Sequence, residues 1–394
     1  MSDKIESCSG LLPVACHLSR LSMFYRSIAR PFLFRLEPET AHQLALRTLK
    51  VALGSEAARA AAARRFGREP FGALARFGLR FKNPVGLAAG FDKNGVAIKQ
   101  LAALGFGFIE VGTVTQQAQA GNERPRLFRL PADRALVNRQ GFNNRGAAAL
   151  AARLQAEGKP ACVLGINIGK SRVVDVADAV TDYLASFELV YPHADYITVN
   201  VSSPNTPNLR ELQRADALAA LLDALQQRNR ELAAQHARTP VPLLVKVAPD
   251  LDERELELIV DVALRAQLAD IVATNTTTSR AGLRTSARTV AAYGAGGLSG
   301  APLARRATEV IATLYRLARG ALTIIGVGGI FNAEDAWAKI CAGASLLQLY
   351  TGFVYEGITL ARDINEGLAR LVRQHGFRTL DEAVGSRAEK LLAV

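Results

Sequence analysis

The polar residues with the clearest capacity for chemistry stand together in the stretch Asp195 to Pro207, read as DYITVNVSSPNTP. Tyr196 to Val201 has the alternating, β-branched and aromatic character of a buried strand, which then stops abruptly. Ser203 offers a hydroxyl that can act as a weak base, and Asn200 and Asn205 offer amides on either side of it. The simpler explanation is a proline-fixed turn whose side chains bond only their own backbone.

One lysine and, separately, two adjacent glycines suggest that the site holds an anion. Lys246 lies inside the apolar run VKVAPD, where a buried ammonium group needs a negative partner, and this favours a cofactor that becomes anionic. Gly328 and Gly329 in GVGG, with Thr351 and Gly352 after the next apolar run, form the position at which barrels commonly bind phosphate. GVGG alone is a weak signal, and the later Thr-Gly pair strengthens it.

Two segments between apolar runs predict ligand-binding loops. Arg124 to Pro131 (RPRLFRLP) and Asn138 to Asn144 (NRQGFNN) form a long connection, which predicts a lid over the site. Its asparagines and Phe142 can bond the edges of a planar ligand, although a surface loop rich in Asx turns would look similar. The glycine-rich stretch Gly294 to Gly300 interrupts a later crossover, and Ser299 is predicted to cap the helix that follows.

The elements that must position these residues are eight apolar runs, each ending in polar or glycine-rich residues. Helical stretches follow most of them, and strands buried on both faces with helical crossovers imply a parallel sheet. Eight such units match a closed (β/α)8 TIM barrel of the α/β class better than an open doubly wound sheet, and the carboxyl ends of barrel strands meet at one mouth. The runs are Pro84 to Ala89, Phe108 to Gly112, Cys162 to Ile168, Tyr196 to Val201, Leu243 to Val247, Ile271 to Thr274, Leu322 to Val327 and Leu346 to Leu349.

Composition excludes several classes of protein. The chain has 394 residues, of which 49% are hydrophobic, and this predicts a globular protein with a large core. No run of eighteen apolar residues could span a bilayer. The mouth has neither a pair of inward carboxylates nor a metal cluster, which argues against glycosidases and metallohydrolases and favours hydride chemistry on an organic cofactor. Cys8, Cys16, Cys162 and Cys341 have no zinc or disulfide spacing, which favours a reducing compartment.

The basic charge of the chain is concentrated at its front. Residues 1 to 80 contain thirteen Lys or Arg against six Asp or Glu, a net charge of +7 out of +12 for the whole chain. The apolar pattern predicts two amphipathic helices, the first ending at Pro31 and the second beginning at Pro38 with an apolar face from Ala41 to Leu53. Such helices are typical of an element that binds an anionic membrane surface, and a helical cap docked on the main domain is the alternative.

Ten stretches, in order, together resemble dihydroorotate dehydrogenase of class 2, the quinone-dependent and membrane-associated family. The resemblance runs from about Phe24 to the C-terminus. It implies an N-terminal extension over 1–22, a two-helix membrane-associating domain with linker over 23–80, and a flavin mononucleotide (FMN) barrel over 81–394. The implied activity is oxidation of (S)-dihydroorotate to orotate in de novo pyrimidine (UMP) biosynthesis, with electrons passed to a ubiquinone-type quinone. The stretches are AAGFDKNG, EVGTVT, NRQGFNN, GINIGK, VNVSSPNTP, VKVAPD, ATNTT, GGLSG, IIGVGGI and LQLYTGF.

The resemblance also implies roles for individual residues and no metal. Ser203 would remove the C5 proton of dihydroorotate while the C6 hydride goes to the flavin. Orotate would be held by Lys93, Asn138, Arg139, Gln140, Gly141, Phe142, Asn200, Asn205, Asn275 and Thr276. FMN would lie on Ala89, Gly90, Phe91, Asp92, Lys93, Thr113, Asn167, Asn200, Lys246 and Thr274, with its phosphate on Gly297, Gly329, Tyr350 and Thr351. The inner end of a quinone tunnel would carry His42, Arg129 and Tyr350.

The resemblance further implies a monomer that binds an anionic membrane surface but no nucleic acid, on the cytoplasmic face of the bacterial inner membrane. A soluble class 1 enzyme would have a cysteine at Ser203 and no basic helical extension. A dihydrouridine synthase would add an RNA-binding domain, and a catalytically silent barrel serving as a scaffold would have no reason to keep Ser203 and Lys93. Gln140 and Glu356-Gly357 depart from residues common in the family, and residues 1 to 22 are expected to be an extension or the product of a mis-assigned start codon.

Overall fold

The centre of the computed structural model, which describes residues 21–393, is a closed barrel of eight parallel strands. Each barrel strand pairs with the next one along the chain, and the last pairs with the first through Leu347 and Val85. The predicted fold class is confirmed, and each predicted run overlaps one barrel strand, with bounds within two residues of those observed. The barrel strands are β3 (Val85–Leu87), β4 (Phe108–Val114), β7 (Val163–Ile168), β8 (Tyr196–Asn200), β9 (Leu243–Val247), β10 (Asp270–Ala273), β12 (Thr323–Val327) and β13 (Leu346–Leu349).

Amphipathic helices cover the outside of the barrel and complete its core. Helix α8 (Glu253–Arg265) begins at a capping box in which Asp252 and Glu255 satisfy each other's backbone N–H groups, as expected for a defined helix start. Helix α10 (Ala304–Ala318) buries Val310, Ile311 and Leu314 against the strands. The helices after β3 are α4 (Ile98–Ala102), α5 (Ala147–Glu157), α6 (Ala179–Val190), α7 (Ala215–Gln235), α8 (Glu253–Arg265), α9 (Ala287–Ala292), α10 (Ala304–Ala318), α11 (Ala333–Ala342), α12 (Thr351–Glu356), α13 (Leu360–Gln374), α14 (Leu380–Ala383) and α15 (Ala388–Leu392).

The first predicted helix does not end at Pro31. A π-helical turn over Tyr25–Ala29 runs directly into helix α1 (Arg30–Arg35), and Pro31 lies in the first turn of α1. The wider π-helical turn changes which carbonyl lies opposite the proline ring, and a first-turn position does not require the missing N–H. The helix therefore continues to Arg35, and the prediction of a break was wrong.

Two further helices precede the barrel. Helix α2 (Pro38–Ala52) begins at Pro38 as predicted, and the carboxylate of Glu37 caps its first turn. Helix α3 (Glu56–Phe66) was not predicted, because its alanine- and arginine-rich sequence EAARAAAARRF carries no apolar stripe. It buries only Ala62 and Phe66, yet both belong to the same hydrophobic core as the barrel strands.

Residues 21–66, called here the N-terminal helical segment, dock on the barrel and also expose apolar side chains. The hydroxyl of Tyr25 donates to the carbonyl of Val354 at 2.7 Å, so the segment is a docked cap. On its outer side, Phe24, Ile28 and Phe32 are each more than half exposed. In residues 21–393, no helix combines the length and apolar character needed to cross a bilayer. Residues 1–20, with Cys8, Cys16 and most of the predicted extension, lie outside the described residues.

The segment predicted as a long loop over the barrel mouth contains two strands of a β-sheet. Strands β5 (Leu127–Leu130) and β6 (Ala135–Asn138) form an antiparallel hairpin, and β11 (Gly297–Gly300) adds to β6 as a third strand. The predicted helix cap at Ser299 is wrong, because this residue lies in β11 and its Oγ bonds Thr351 Oγ1 at 2.8 Å. A second hairpin, β1 (Leu74–Arg76) and β2 (Leu79–Phe81), precedes the barrel.

A buried ion pair joins the N-terminal helical segment to the loop that leads into β5. The Arg126 guanidinium donates from Nε and Nη2 to the two carboxylate oxygens of Glu39, at 3.0 and 2.9 Å, and both side chains are about 5% exposed. Arg126 Nη1 also donates to the carbonyls of Ala120 and Asn122. One guanidinium therefore holds α2 and this loop together.

Replacing Glu39 with Ala should lower the free energy of unfolding by about 3 kcal/mol or more, because it leaves the Arg126 charge buried and unpaired. Urea denaturation of the purified protein measures this change. Glu366→Ala is the matched control, since it breaks the more exposed Arg68–Glu366 pair and should cost no more than about 1 kcal/mol. Equal, small losses in the two variants would contradict the assigned importance of the buried pair.

Candidate active site

The mouth of the barrel opens into a pocket of about 1010 Å³, a volume that includes space open to solvent. The ends of the barrel strands line it, with residues from β6 and β11 above them. The sequence-predicted residues that line this pocket are Ala89, Gly90, Lys93, Thr113, Asn138, Gln140, Gly141, Phe142, Asn200, Ser203, Asn205, Lys246, Thr274, Asn275, Thr276, Gly329, Tyr350 and Thr351. Side chains from distant parts of the chain therefore converge as the barrel fold requires.

Several predicted site residues do not line the pocket. The Asp92 carboxylate accepts from the backbone N–H groups of Val96 and Ala97, so it anchors the turn that presents Lys93. The Arg139 guanidinium donates to the Pro125 carbonyl. The other predicted site residues that do not line the pocket are Phe91, Asn167, Gly297, His42 and Arg129.

Gly297 has a packing reason to be glycine. A Cβ at this position would fall 1.9 Å from Thr276 Oγ1, so β11 approaches the end of β10 closely only because no side chain intervenes. The Asn138 amide reaches the Gly297 carbonyl at 3.5 Å. Gly297 therefore supports Thr276 and Asn138, which line the pocket.

Four asparagine amides are held in place before any ligand binds. Asn275 Nδ2 donates to Asn200 Oδ1 at 3.2 Å and to Ser202 Oγ at 2.9 Å. Across the pocket, Asn205 Nδ2 donates to Asn138 Oδ1 at 2.9 Å. Since each amide already has a partner that determines its orientation, the pocket presents a defined set of donors and acceptors.

Ser203 stands on the turn that follows β8, and its Oγ accepts from the backbone N–H of Asn205 at 3.2 Å. It is about 5% exposed and lines the pocket. Nearby along the chain, Thr206 Oγ1 is buried with no hydrogen-bond partner in the described part of the protein. The serine is thus positioned by a stiff strand end and a backbone contact.

Lys93 offers a positive charge on one side of the pocket. Its Nζ donates to Gln140 Oε1 at 2.7 Å. Burial lowers the pKa of Lys93 to about 8, an effect that the Glu39 carboxylate opposes and the Arg126 charge reinforces. Lys93 is therefore charged near neutral pH and able to bind an anionic group.

Lys246 offers a second positive charge, deeper in the pocket. It is about 6% exposed, and its Nζ makes no hydrogen bond or ion pair with any residue of 21–393. Burial lowers the pKa of Lys246, and the carboxylate of Glu110 opposes that effect. An almost buried ammonium group without a partner indicates that a ligand supplies the missing acceptor.

The glycines at the end of β12 form a cradle against a helix start. Gly329 has φ +71°, and a Cβ there would lie 2.8 Å from the backbone nitrogen of Ala304, the first residue of α10. Because no side chain intervenes, the Gly329 backbone packs directly on the start of α10, and the backbone of Gly328 and Gly329 lines the pocket, where it can approach an anion. The hydroxyl pair of Ser299 and Thr351 lies on the same wall.

The three predicted quinone-site residues lie where the N-terminal helical segment meets the pocket. His42 Nε2 lies 2.8 Å from the Phe91 carbonyl, and the Phe91 ring contacts the rings of both His42 and Tyr350. Burial lowers the pKa of His42 to about 4, and the Lys93 charge acts in the same direction. Arg129 lies over the Phe34 ring and donates to the Leu36 carbonyl at 2.8 Å. Of the three, only Tyr350 lines the pocket.

Two polar residues were missed by reading the sequence. Gln348, in the apolar run LLQL, is about 1% exposed and lines the pocket, and Glu110, in FIEVG, is fully buried below it. The available signal was a polar residue within a strand otherwise made of apolar residues. Among residues 21–393, no group of three or more His, Cys, Asp or Glu is placed to hold a metal ion.

Comparison with known proteins gives consistent matches over most of the chain. The family model described as dihydroorotate dehydrogenase matches residues 73–372. A dihydroorotate dehydrogenase (quinone) of Mycolicibacterium vanbaalenii is 51% identical over 365 residues, covering 92% of this chain and 99% of that protein. The protein of the same name from Mycobacterium tuberculosis is 50% identical over 360 residues, covering 91% and 97%.

Solved structures agree with these matches. The DHODH of Eimeria tenella, crystallised with ferulenol, superposes with a TM-score of 0.80 at 35% identity and covers 89% of this chain and 95% of its own. The ligand-free form of that protein gives a TM-score of 0.78.

Proposed function

Since the chain belongs to the quinone-type dihydroorotate dehydrogenase family, which oxidises dihydroorotate in pyrimidine biosynthesis, we infer that the barrel-mouth pocket is where this chain carries out that reaction. The observation that carries the inference is the convergence of Ser203, the amides and two ammonium groups on one pocket. Orotate is the expected product, and a quinone is the expected final electron acceptor.

The residues of the pocket fit a flavin, the type of cofactor on which the family depends, and we propose FMN specifically. The unpaired Lys246 ammonium suits a ring that gains negative charge, and the Gly328-Gly329 cradle at the start of α10 suits a single phosphate group. Bound FMN would accept the hydride from dihydroorotate and pass electrons on to the quinone. The residues proposed to hold it are Ala89, Gly90, Thr113, Asn200, Lys246, Thr274, Gly329, Tyr350 and Thr351, supported from behind by Phe91, Asp92, Asn167 and Gly297.

The remaining side chains suit dihydroorotate. Its carboxylate fits the Lys93 ammonium, and its ring amide edges fit the asparagine amides, which are already oriented by one another. Ser203 would take the proton from C5, a role that its position at the rigid end of β8 favours. The substrate-binding set proposed is Lys93, Asn138, Gln140, Gly141, Phe142, Asn200, Asn205, Asn275 and Thr276, with the backbone of Arg139 beside them.

We propose that the quinone approaches from the N-terminal helical segment. His42 and Arg129 lie between that segment and the pocket, and the Phe91 ring connects His42 to Tyr350. Because burial keeps His42 uncharged near neutral pH, its Nε2–H donates to the Phe91 carbonyl and its Nδ1 is left as an acceptor that suits the hydroxyl of the reduced quinol. Arg129 would supply a charged donor.

The outer side of the same segment suits a membrane surface. Phe24, Ile28 and Phe32 are exposed beside basic residues such as Arg26 and Arg35, the combination that binds anionic lipid. We propose a peripheral monomer on the cytoplasmic face of a bacterial inner membrane, with no nucleic-acid partner.

Anaerobic mixing of the purified protein with dihydroorotate should bleach the flavin absorbance, and a ubiquinone analogue should restore it. In Ser203→Ala the rate of bleaching near neutral pH should fall by roughly 10²- to 10⁴-fold, because a general base is lost. The visible spectrum before mixing is the control, since FMN should remain bound. A colourless wild-type protein would defeat the proposed function, and an unchanged rate in the variant would remove Ser203 from its role.

Orotate binding should weaken as the pH rises through about 8, because Lys93 loses its proton there. The lowered pKa places this loss well below the usual range for lysine. The dissociation constant of orotate, followed by the shift in flavin absorbance between about pH 6.5 and 9.5, measures it. Lys93→Met should bind orotate more weakly than wild type below about pH 8 and show no such decline, so that the two affinities converge as the pH rises; an unchanged decline would assign it to another group.

Replacing Phe24, Ile28 and Phe32 together with Ser should reduce binding to vesicles that contain an anionic lipid by at least tenfold, because burial of each side chain contributes about 1.5–3 kcal/mol. Vesicle flotation measures the bound fraction. The matched control replaces Leu258 and Leu264, which are exposed on α8, with Ser. Equal binding by both variants would contradict the membrane assignment.

A further inference from the structure

A fully buried carboxylate lies beneath the floor of the pocket and has no role in the chemistry assigned so far. Glu110 Oε2 accepts from Tyr196 Oη at 3.0 Å, Thr198 Oγ1 at 3.1 Å and Gln348 Nε2 at 2.8 Å. Its Oε1 accepts from Asn167 Nδ2 at 2.8 Å. Four donors from three different strands thus point at one carboxylate, an arrangement that suits its charged form, which only accepts hydrogen bonds.

Because Glu110 accepts only, it determines how the amides above it are oriented. Asn167 must turn its Nδ2 toward Glu110, so its Oδ1 faces Thr113 Oγ1 and Asn200 Nδ2. Asn200 then has its Oδ1 free to accept from Asn275 Nδ2 at 3.2 Å. The orientation of the amides in the pocket therefore follows, one hydrogen bond at a time, from the carboxylate.

A second branch leads to Gln348. Since Gln348 Nε2 is committed to Glu110, its Oε1 must face the other way. This oxygen is buried and has no hydrogen-bond partner within residues 21–393, and Gln348 lines the pocket. A bound ligand that offers an N–H group would satisfy it.

The same carboxylate is the anion that favours the charged form of Lys246. Burial lowers the pKa of Lys246, and Glu110 opposes that effect. Two other titratable groups face Glu110: burial raises the pKa of Tyr196 far above its usual value, and burial raises that of Asp270 as well. Burial thus disfavours a charge on Tyr196 and on Asp270, whereas four donors surround the carboxylate of Glu110.

We propose that Glu110 is a positioning residue for the flavin site: it sets the donor and acceptor pattern of the pocket floor and balances the charge of Lys246, without touching substrate or cofactor. This inference rests on the proposed function, because it assumes that the pocket binds FMN. It gives Glu110 two measurable effects, one on the affinity for FMN and one on the reduction potential.

Glu110→Gln tests both effects with little change in shape. The new amide must direct its NH₂ group at a donor that Glu110 now accepts from, so either Asn167 or Gln348 has to turn away. Because this changes the donors and acceptors of the pocket floor, the dissociation constant for FMN should rise at least tenfold. Loss of the negative charge should favour the reduced flavin about tenfold at pH 6, which corresponds to about 30 mV in the two-electron midpoint potential. That increase should fade as the pH rises, because Lys246 without Glu110 releases its proton more readily.

Asp270→Asn is the matched control. Asp270 is also a fully buried barrel carboxyl, but it accepts from Thr323 Oγ1 and the Ile325 N–H and makes no hydrogen bond to the pocket amides. This variant should lose thermal stability while its affinity for FMN and its midpoint potential stay at the wild-type values. The potentials are measured with a chemical reductant and a reference dye, so the test does not require dihydroorotate.

The proposal is overturned if Glu110→Gln loses stability but keeps the wild-type affinity for FMN and the wild-type potential at each pH. If this variant does not fold, Thr198→Val serves instead, because it removes one donor to Glu110 and leaves the charge. It should bind FMN more weakly than wild type, and wild-type affinity would equally overturn the proposal. Failure of the proposed function itself would appear differently, as wild-type protein that takes up no FMN.

Discussion

Closure of the barrel between β13 and β3 is the constraint on which the site depends. Leu347 pairs with Val85, so strands that begin more than 250 residues apart in the chain become neighbours and their ends share one mouth. Through that pairing the Tyr350 hydroxyl reaches the Gly90 carbonyl at 3.4 Å. An open sheet would leave these two strands as opposite edges, and the groups proposed to flank the flavin and to bind its phosphate would be separated.

The sequence predicted the strands and most pocket residues because both leave local signals. Apolar runs followed by polar residues identify buried strands and their carboxyl ends. Helix α3 and the β5–β6–β11 sheet leave no such signal: α3 has no apolar stripe, and β11 is four residues of a glycine-rich stretch that pairs with β6, some 160 positions away. Glu110 was missed for a related reason, since only the folded barrel shows that four donors surround it.

The N-terminal helical segment packs on the barrel with one side and exposes apolar residues on the other. Its inner side contributes Glu39 to a buried ion pair and Phe66 to the barrel core, while its outer side presents Phe24 and Phe32 to solvent. Arg126 binds Glu39 and also the loop that leads into β5. The element proposed to bind a membrane and the roof of the pocket are thus attached to the same guanidinium, and docking on the barrel leaves the outer side of the segment available for the proposed membrane contact.

The contact between Lys93 and Gln140 determines how the pocket presents Lys93 to an anionic group. Lys93 has one neutral partner, Gln140 Oε1 at 2.7 Å, and its ammonium group keeps two further N–H donors. The carboxylate of the proposed substrate can therefore bind Lys93 without displacing Gln140, and it meets a side chain whose freedom the protein has already restricted. A neutral analogue without the carboxylate would leave those donors without an anionic acceptor, so the proposed site discriminates against it through a side chain that its own roof holds in place.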